Sequence, residues 1–329
     1  MVSGERKTIR TSMAATRFFL GLGLVALSIG TVRATVREFE KTFAVQPSCS
    51  VKVDTYRGSI TVAESDQAEV RVLLQMSIRS DDPAEAGRIF AALQLEALDQ
   101  ENTILLRARN PQETRVRFVW NDKNQIDLEW RISVPRQSNV EAVTRNGGIT
   151  VGNLEGRVVA RTEKGTISIK RIEGSIEASA EVGDVVISRC SGPVKVRVLQ
   201  GTVRVGSIGG LADVKNLSGD VSVQAARAGI TASAEAGDVY VGFPFDSVGD
   251  ARVSTAGGSI HVTVAPSLNC RVNASSVWGR VENLLPMAIQ SGGDGKSKLA
   301  GQIGVGGPQL TFSANGGHVK IVPGDSFIE

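Results

Sequence analysis

Residues 183–200 consist of two nine-residue units, GDVVISRCS and GPVKVRVLQ, and this unit decides the fold. Each unit starts with glycine and places β-branched residues two and four positions later. Such alternation, bounded by glycine, is typical of a short strand followed by a turn. Glycine recurs at a nine-residue step, with Ala228 as the exception, at positions 147, 156, 165, 174, 183, 192, 201, 210, 219 and 237.

A longer period of eighteen residues lies within the shorter one. The second apolar position is large in alternate units, as at Ile169 and Ile187, and is often smaller in the units between, as at Ala160 and Ala178. The sequence therefore predicts an all-β fold, a parallel β-solenoid of nine-residue repeats paired as eighteen-residue coils. Cys190 falls in an apolar corner series and is predicted to lie in the core. Since one coil cannot bury its apolar side chains alone, stacking and capping segments are required.

The rest of the chain divides around these repeats. We predict a signal peptide over 1–34, a β-rich N-terminal cap over 35–145, the solenoid repeats over 146–245, and imperfect repeats with a cap over 246–329. One short helix is expected at about 83–93, because Asp82 suits the N-cap and Pro83 the first turn. The four strand patterns that follow the helix, at 93–98, 103–109, 114–120 and 125–134, are interpreted as antiparallel hairpins. The glycine- and lysine-rich segment at about 290–308 is predicted to be a mobile loop.

The N-terminus has the pattern of a secretory leader. Basic residues precede an apolar run at 18–29, and Val32 and Ala34 occupy the positions that signal peptidase requires, so cleavage is expected between Ala34 and Thr35. A spanning helix needs about 20 apolar residues, and this run is shorter. We therefore expect an exported protein, in the periplasm, the outer envelope or the extracellular space, with no integral membrane segment after cleavage.

Charge and cysteine content limit the function classes. The chain has 37 Lys and Arg against 34 Asp and Glu, but its leader is basic, so the mature chain is close to neutral and nucleic-acid binding is not predicted. The three cysteines, Cys49, Cys190 and Cys270, lack Cys-x-x-Cys spacing. They permit one disulfide with a leftover thiol, or three buried thiols. His261 and His318 are interpreted as surface strand residues.

Several motifs resemble a known group. They are Arg57-Gly58-Ser59-Ile60-Thr61-Val62, Val134-Pro135-Arg136, Asn146-Gly147-Gly148-Ile149-Thr150-Val151, the glycine nonads and Asn315-Gly316-Gly317-His318-Val319. Together they resemble the bacterial putative-adhesin (toastrack) family of exported β-strand repeat proteins, over nearly the whole mature chain. The resemblance implies a β-solenoid in the envelope or outside the cell. It carries over no catalytic residues.

Aspartate follows the unit's glycine at Asp184, Asp220 and Asp238, which invites comparison with calcium-binding β-rolls. Calcium needs six to eight oxygen ligands, whereas this spacing supplies one carboxylate per coil at most. We therefore interpret these three residues as a corner ladder whose side chains accept hydrogen bonds from backbone N–H groups. No metal, cofactor or catalytic residue is predicted.

Three functions stay open on the sequence alone. The leading hypothesis is a non-enzymatic envelope or surface solenoid with an adhesin-like binding or scaffold role, its partner being an unknown protein, a glycan or a second copy. A carbohydrate-active enzyme of the parallel β-helix type is the first alternative, and it would need a clustered acid pair in a groove. The second is a periplasmic accessory of an envelope-stress pathway. The outward columns, including Lys170, Ser188, Gly206 and Gln224, are interpreted as a mixed solvated face.

Overall fold

The structure, a computed structural model, describes residues 34–79, 82–110 and 126–324. The predicted signal peptide lies outside these ranges, except that the first strand begins at Ala34, the residue before the predicted cleavage site. The predicted strand at 114–120 also lies outside them.

Strands dominate the chain. The N-terminal part contains β1 (Ala34–Ala44), β2 (Ser50–Thr55), β3 (Ser59–Ser65), β4 (Glu69–Arg79), helix α1 (Pro83–Ala92), β5 (Gln94–Gln100), β6 (Thr103–Arg109), β7 (Ile126–Pro135) and β8 (Asn139–Asn146). The repeats contain β9 (Ile149–Val151), β10 (Val158–Lys164), β11 (Ile167–Ile172), β12 (Ile176–Val182), β13 (Val185–Cys190), β14 (Val194–Gln200), β15 (Val203–Ile208), β16 (Ala212–Ser218), β17 (Val221–Ala226), β18 (Ile230–Ala236) and β19 (Val239–Phe243). The C-terminal part contains β20 (Ala251–Thr255), β21 (Ile260–Val264), β22 (Cys270–Ser276), β23 (Val281–Asn283), β24 (Ala288–Gly292), β25 (Lys298–Ile303), β26 (Gln309–Ala314) and β27 (Val319–Pro323).

Successive repeat strands alternate between two long sheets. Within the described ranges, sheet A has 13 strands and sheet B has 14. Val185 pairs with Val203 in sheet A, and Val194 pairs with Ala212 in sheet B, both in parallel and both eighteen residues apart. This register confirms the predicted solenoid, in which one coil is two nine-residue sides and each side is one strand with one corner.

The core is the space between the two sheets. Ile169 and Ile187 from sheet A are at most 1% exposed, and so are Ala160 and Ala178 from sheet B. Larger residues of sheet A and smaller residues of sheet B therefore line the same core, in agreement with the eighteen-residue period. Each fully buried aliphatic side chain contributes roughly 1.5–3 kcal/mol. The contribution depends on the coils above and below, because they supply most of the covering atoms.

The three cysteines, Cys49, Cys190 and Cys270, are buried free thiols. Cys190 stacks in the corner series between Ile172 and Ile208, as its repeat position predicted. Its Sγ donates to the Gly174 carbonyl at 3.2 Å. Burial raises the pKa of the Cys190 thiol, and it raises the pKa of Cys270 to about 11. Both thiols are therefore protonated and behave as small apolar side chains.

Glycine is required for different reasons at the two corners of each coil. Gly183, before a sheet A strand, has a φ of 142°, which side chains rarely adopt. Gly174, before a sheet B strand, is outside that region, but a Cβ there would lie 2.2 Å from the Gly156 carbonyl oxygen of the coil below. The sheet A corner at Gly183 therefore needs glycine for its positive φ, whereas at the sheet B corner of Gly174 close stacking excludes a side chain.

The solenoid starts much earlier than the predicted boundary at 146. β2 pairs in parallel with β8, and β3 with β9, so residues 50–65 already form one coil. The chain then leaves the solenoid for β4, α1 and the antiparallel hairpin of β5 and β6. It returns through β7, which pairs with β4 in antiparallel and β3 in parallel orientation. The predicted all-antiparallel arrangement of this region is thus only partly correct. Helix α1 ends one residue before the predicted position.

The C-terminal part corrects two further expectations. The segment predicted as a mobile loop at 290–308 holds the end of β24 and all of β25, which pair with each other and extend sheet B through β22. In addition, the final coil of the chain, β26 and β27, is inserted between the coils of β20–β21 and β22–β23. The solenoid therefore continues to residue 323, with its last coil out of chain order.

Candidate functional site: a trough on the outward face of sheet A

An open trough of about 560 Å³ runs across the outward face of sheet A, from β13 to β21. At one outward position, successive coils place Ser188, Gly206, Gln224 and Gly242 along its floor. Because outward positions of neighbouring strands lie only about 4.8 Å apart, the three short residues leave a depression in the sheet, and the exposed Gln224 side chain stands between Gly206 and Gly242. The backbone beneath it is held by parallel ladder hydrogen bonds, which makes the depression rigid.

A stacked aromatic pair forms one wall of the trough. Tyr240 on β19 and His261 on β21 are aligned in the parallel register. Their ring centroids are 4.7 Å apart and their planes differ by 8°. The Tyr240 hydroxyl donates to Asp238 at 3.3 Å, and Tyr240 remains 40% exposed. Desolvation and then the charge of Asp238 raise the pKa of Tyr240, so the phenol is neutral over the physiological range.

Two arginines form the opposite wall. Arg227 is fixed by Asp246, whose Oδ2 accepts from Nε at 2.9 Å, and by the Ser207 hydroxyl, which accepts from Nη1. Arg189 is exposed and, in the part of the chain that the structure describes, has no carboxylate within ion-pair distance. Its equivalent one coil earlier, Arg171, pairs with Glu173 at 3.0 Å. Arg189 is therefore a cation free to bind an external group.

The charge of the trough differs from that of sheet B. None of the described residues that line the trough is Asp or Glu. On sheet B, in contrast, several arginines pair with carboxylates of the same sheet: Arg161 contacts Glu177 at 2.8 Å and Glu141 at 3.4 Å, and Arg197 pairs with Asp213. The Arg161 guanidinium holds the pKa of Glu177 below its usual value. These sheet B arginines are therefore neutralised by neighbours, whereas Arg189 in the trough is not.

A second groove of about 710 Å³ lies over sheet B near the N-terminal cap and contains Asp54, Glu163 and Glu181. Glu163 and Glu181 occupy equivalent positions of adjacent coils, next to the paired residues Lys164 and Val182. Both are exposed, and Glu163 pairs with Arg145 at 3.9 Å. Both side chains are therefore solvated at the rim of this groove.

The three predicted corner aspartates form a ladder along the start of the sheet A strands. Each Oδ1 accepts the backbone N–H of the next coil: Thr202 on Asp184 at 2.8 Å, Asp238 on Asp220 at 2.9 Å, and Ser259 on Asp238 at 2.7 Å. The Thr202 N–H lowers the pKa of Asp184. The structure therefore gives these side chains a role at the corners, and Asp238 additionally joins the ladder to the trough through Tyr240.

A second polar ladder runs inside the corners at the ends of the sheet B strands. Thr162 donates to the Gly147 carbonyl at 3.1 Å, and Thr255 to the Gly237 carbonyl at 2.8 Å. Asn216, at the equivalent position and 3% exposed, donates through Nδ2 to the carbonyls of Gly201 and Gly219, both at 2.8 Å. These bonds satisfy carbonyl groups that the tight corner turns away from the sheets.

The trough could not be predicted from the repeat pattern, in which Ser188, Gly206 and Gln224 form a solvated column and His261 has no partner. The missing signal is the spacing of Tyr240 and His261, which is 21 residues, because residues 244–250 enlarge one corner. Counting in steps of eighteen places the wrong residue beside Tyr240.

No group of three or more His, Cys, Asp or Glu side chains among the described residues is arranged to hold a metal ion. No helix in that part of the chain has the length and apolar content needed to cross a bilayer.

Comparison with known proteins identifies the family. The model of the family described as Toastrack DUF4097 matches residues 50–283. The chain belongs to this family. The match covers the trough, the corner ladders and all the repeat strands, and it starts at β2, where the structure shows the solenoid starting. No curated protein matches the chain.

Solved structures of low sequence identity were also found. One is a putative adhesin from Bacteroides fragilis, 14% identical, which covers 87% of this chain and 97% of its own, with a TM-score of 0.33. A putative adhesin from Parabacteroides distasonis is 11% identical, with 87% and 97% covered and a TM-score of 0.36. A putative lipid binding protein from the same species is 10% identical, with 87% and 96% covered and a TM-score of 0.33.

Proposed function

We propose that this protein is an exported, non-enzymatic β-solenoid of the cell envelope or cell surface that binds a carbohydrate along the outward face of sheet A. The observation that carries the proposal is the trough, in which a stacked aromatic pair stands beside a floor of short residues and Gln224 on a rigid sheet. Carbohydrate rings present C–H groups on one side and hydroxyl groups at the edge, so an aromatic wall with polar neighbours suits both. Export rests on the leader-like N-terminal sequence.

The construction of the trough supports binding over catalysis. Tyr240, His261 and Ser188 lie on strands of one continuous sheet, so little conformational freedom is lost when a ligand docks. An elongated ligand can lie across several coils without the solenoid changing shape. These properties fit an adhesin-like protein, which has to hold an extended partner and leave it chemically unchanged.

The enzyme alternative has one specific observation in its favour, the acidic pair Glu163 and Glu181 in the groove over sheet B. An enzyme of that kind would release reducing ends from a polysaccharide, and the variants Glu163→Gln and Glu181→Gln would abolish the release. We expect no release by the wild-type protein. Release that depends on either glutamate would replace binding by catalysis as the function.

The proposal is tested on an array of bacterial and host glycans with the mature protein and two variants. Tyr240→Ala removes the aromatic wall without touching the core. Lys170→Ala, on the same outward face but outside the trough, is the matched control. Binding of the wild type and of Lys170→Ala to the same glycans, with loss in Tyr240→Ala, supports the proposal. Absence of any glycan binding, or binding that Tyr240→Ala leaves unchanged, would overturn it.

A further inference from the structure

We infer that the ligand of the trough is an acidic oligosaccharide, a chain of pyranose rings that carries carboxylates. In this arrangement Arg189 binds a carboxylate and Tyr240 packs against a ring further along the same chain. The inference rests on the proposed function and narrows it to one chemical class. It follows from three features of the trough: its charge, the free face of Tyr240 and the distance between the two groups.

The positive charge of the trough favours an anionic ligand. The described trough-lining residues include Arg189 and Arg227 and no carboxylate. Arg227 shares its charge with Asp246, so Arg189 is the lining cation without an ion-pair partner among the described residues. A guanidinium binds a carboxylate through two parallel N–H···O bonds, a geometry that neutral hydroxyl groups do not match. A ligand with carboxylates along its length therefore gains more from this wall than a neutral one.

The free face of Tyr240 selects a ring. His261 covers one side of the phenol ring. On the other side the aligned residue of the neighbouring coil is Ser222, whose side chain is too short to cover an aromatic ring. The space above Ser222, bounded by Tyr240, is open to the trough. A pyranose ring there packs its C–H groups on the phenol and directs hydroxyl groups towards Ser222 and Gln224.

The distance between the two groups sets a minimum ligand length. Arg189 lies on β13 and Tyr240 on β19, three strands apart in sheet A. At about 4.8 Å per strand, the two sites are separated by roughly 14 Å along the solenoid axis. A single uronic acid is too short to reach both Arg189 and Tyr240. The carboxylate at Arg189 and the ring at Tyr240 therefore belong to different units of one chain. Affinity should therefore increase with chain length.

The test is calorimetric titration of the mature protein with uronic acid oligomers of one, two and four units. The probes are oligomers of galacturonic acid, of mannuronic acid and of hyaluronan, each with its methyl-esterified form, which keeps the rings and removes the charge. A single-stranded oligodeoxynucleotide of equal charge is the control for a polyanion without pyranose rings. The variants are Arg189→Gln, Tyr240→Ala and Tyr240→Phe, with Arg171→Gln as the matched control one coil earlier.

We expect at least one tetramer to bind roughly tenfold more tightly than its ester, and the monomers to bind far more weakly. Arg189→Gln should lower the affinity for the acid roughly tenfold and remove the difference from the ester. Tyr240→Ala should weaken both forms, whereas Tyr240→Phe and Arg171→Gln should keep wild-type affinity.

The outcomes separate the inference from the proposed function. Equal binding of acid and ester, with loss in Tyr240→Ala, would overturn the acidic class and leave a carbohydrate-binding trough. Binding of no acidic oligomer, while a neutral glycan on the array binds, would do the same. An affinity for the oligonucleotide equal to that for the acidic oligosaccharide would show non-specific charge attraction and overturn the inference. An identical loss of affinity in Arg171→Gln and Arg189→Gln would do the same. If no glycan binds at all, the proposed function fails with it.

Discussion

Asn216 belongs to the polar ladder inside the corners at the ends of the sheet B strands. We predict that Asn216→Asp, which replaces the side-chain NH₂ group with oxygen, strongly destabilises the solenoid. In the native protein Nδ2 donates to two carbonyl oxygens at 2.8 Å, and the residue is 3% exposed. An ionised carboxylate would direct an oxygen at these carbonyls in a site closed to water. The folded variant must therefore take up a proton, which the unfolded chain does not hold at neutral pH.

The size of the effect follows from that proton. An aspartate with an unfolded pKa of about 3.9 costs about 1.4 kcal/mol per pH unit to protonate, hence about 4 kcal/mol at pH 7 and about 1.5 kcal/mol at pH 5. The protonated carboxyl keeps one donor, so one of two hydrogen bonds is lost, at about 1 kcal/mol. The expected loss of unfolding free energy is therefore about 5 kcal/mol at pH 7 and about 2.5 kcal/mol at pH 5. Because the folded pKa is raised, the protonation part of the loss grows as the pH rises above about 3.9 and disappears below it, which leaves the loss of about 1 kcal/mol from the hydrogen bond.

Urea unfolding followed by circular dichroism at pH 5 and pH 7 measures both values against the wild type. Asn216→Ala is the uncharged control. It loses both hydrogen bonds, about 2 kcal/mol in total, and its difference from the wild type should not change with pH. A variant Asn216→Asp within about 1 kcal/mol of the wild type at pH 7, or with the same deficit at both pH values, would refute this account of the corner.

Three further predictions concern the same framework. Gly183→Ala should lower the free energy of unfolding by about 3 kcal/mol or more, because φ is 142° and a Cβ would lie 2.0 Å from the Gly165 carbonyl oxygen. Gly87→Ala in α1, where a Cβ meets nothing within 4 Å, should instead raise it by about 0.5–1 kcal/mol. Equal shifts in melting temperature for the two variants would contradict the role of close stacking at Gly183. The lowered pKa of Asp184 implies a contribution to stability that is present above about pH 4, where the unfolded carboxyl is ionised, and that is lost as the pH falls through the folded pKa. Asp184→Asn should therefore reduce the fall in melting temperature at acid pH. An unchanged fall would count against the hydrogen bond to Thr202. Cys270, with its pKa raised to about 11 by burial, should resist iodoacetamide at pH 8 in the native protein and react fully in urea, as mass spectrometry would show; rapid native labelling would place it at the surface.

The repeat itself could be predicted from sequence because each coil obeys local rules. The nine-residue glycine step and the alternation of large and small aliphatic residues fix the strands, the two sheets and the buried position of Cys190. The role of the corner aspartates also follows from residue type, since a short acidic side chain after glycine has a backbone N–H of the next coil within reach.

The remaining features depend on long-range order that no local pattern encodes. The first coil, at 50–65, is separated from the second by about 75 residues of cap, so its pairing with β8 and β9 has no periodic signal. The last coil is inserted between two earlier ones. Likewise, the stacking of His261 on Tyr240 depends on an enlarged corner at 244–250, which breaks the step of eighteen. The candidate site therefore emerged only when the coils were aligned in three dimensions.

The central claim is that the outward face of sheet A holds an intact saccharide in the trough between Arg189 and Tyr240. The most direct measurement is a crystal structure of the mature protein with the saccharide that binds most tightly. We predict an uncleaved chain lying across β13 to β19, with one ring against the free face of Tyr240 and a carboxylate on Arg189. A saccharide seated on sheet B beside Glu163 and Glu181, or hydrolysed there, would contradict the claim and establish the acidic groove as the functional site.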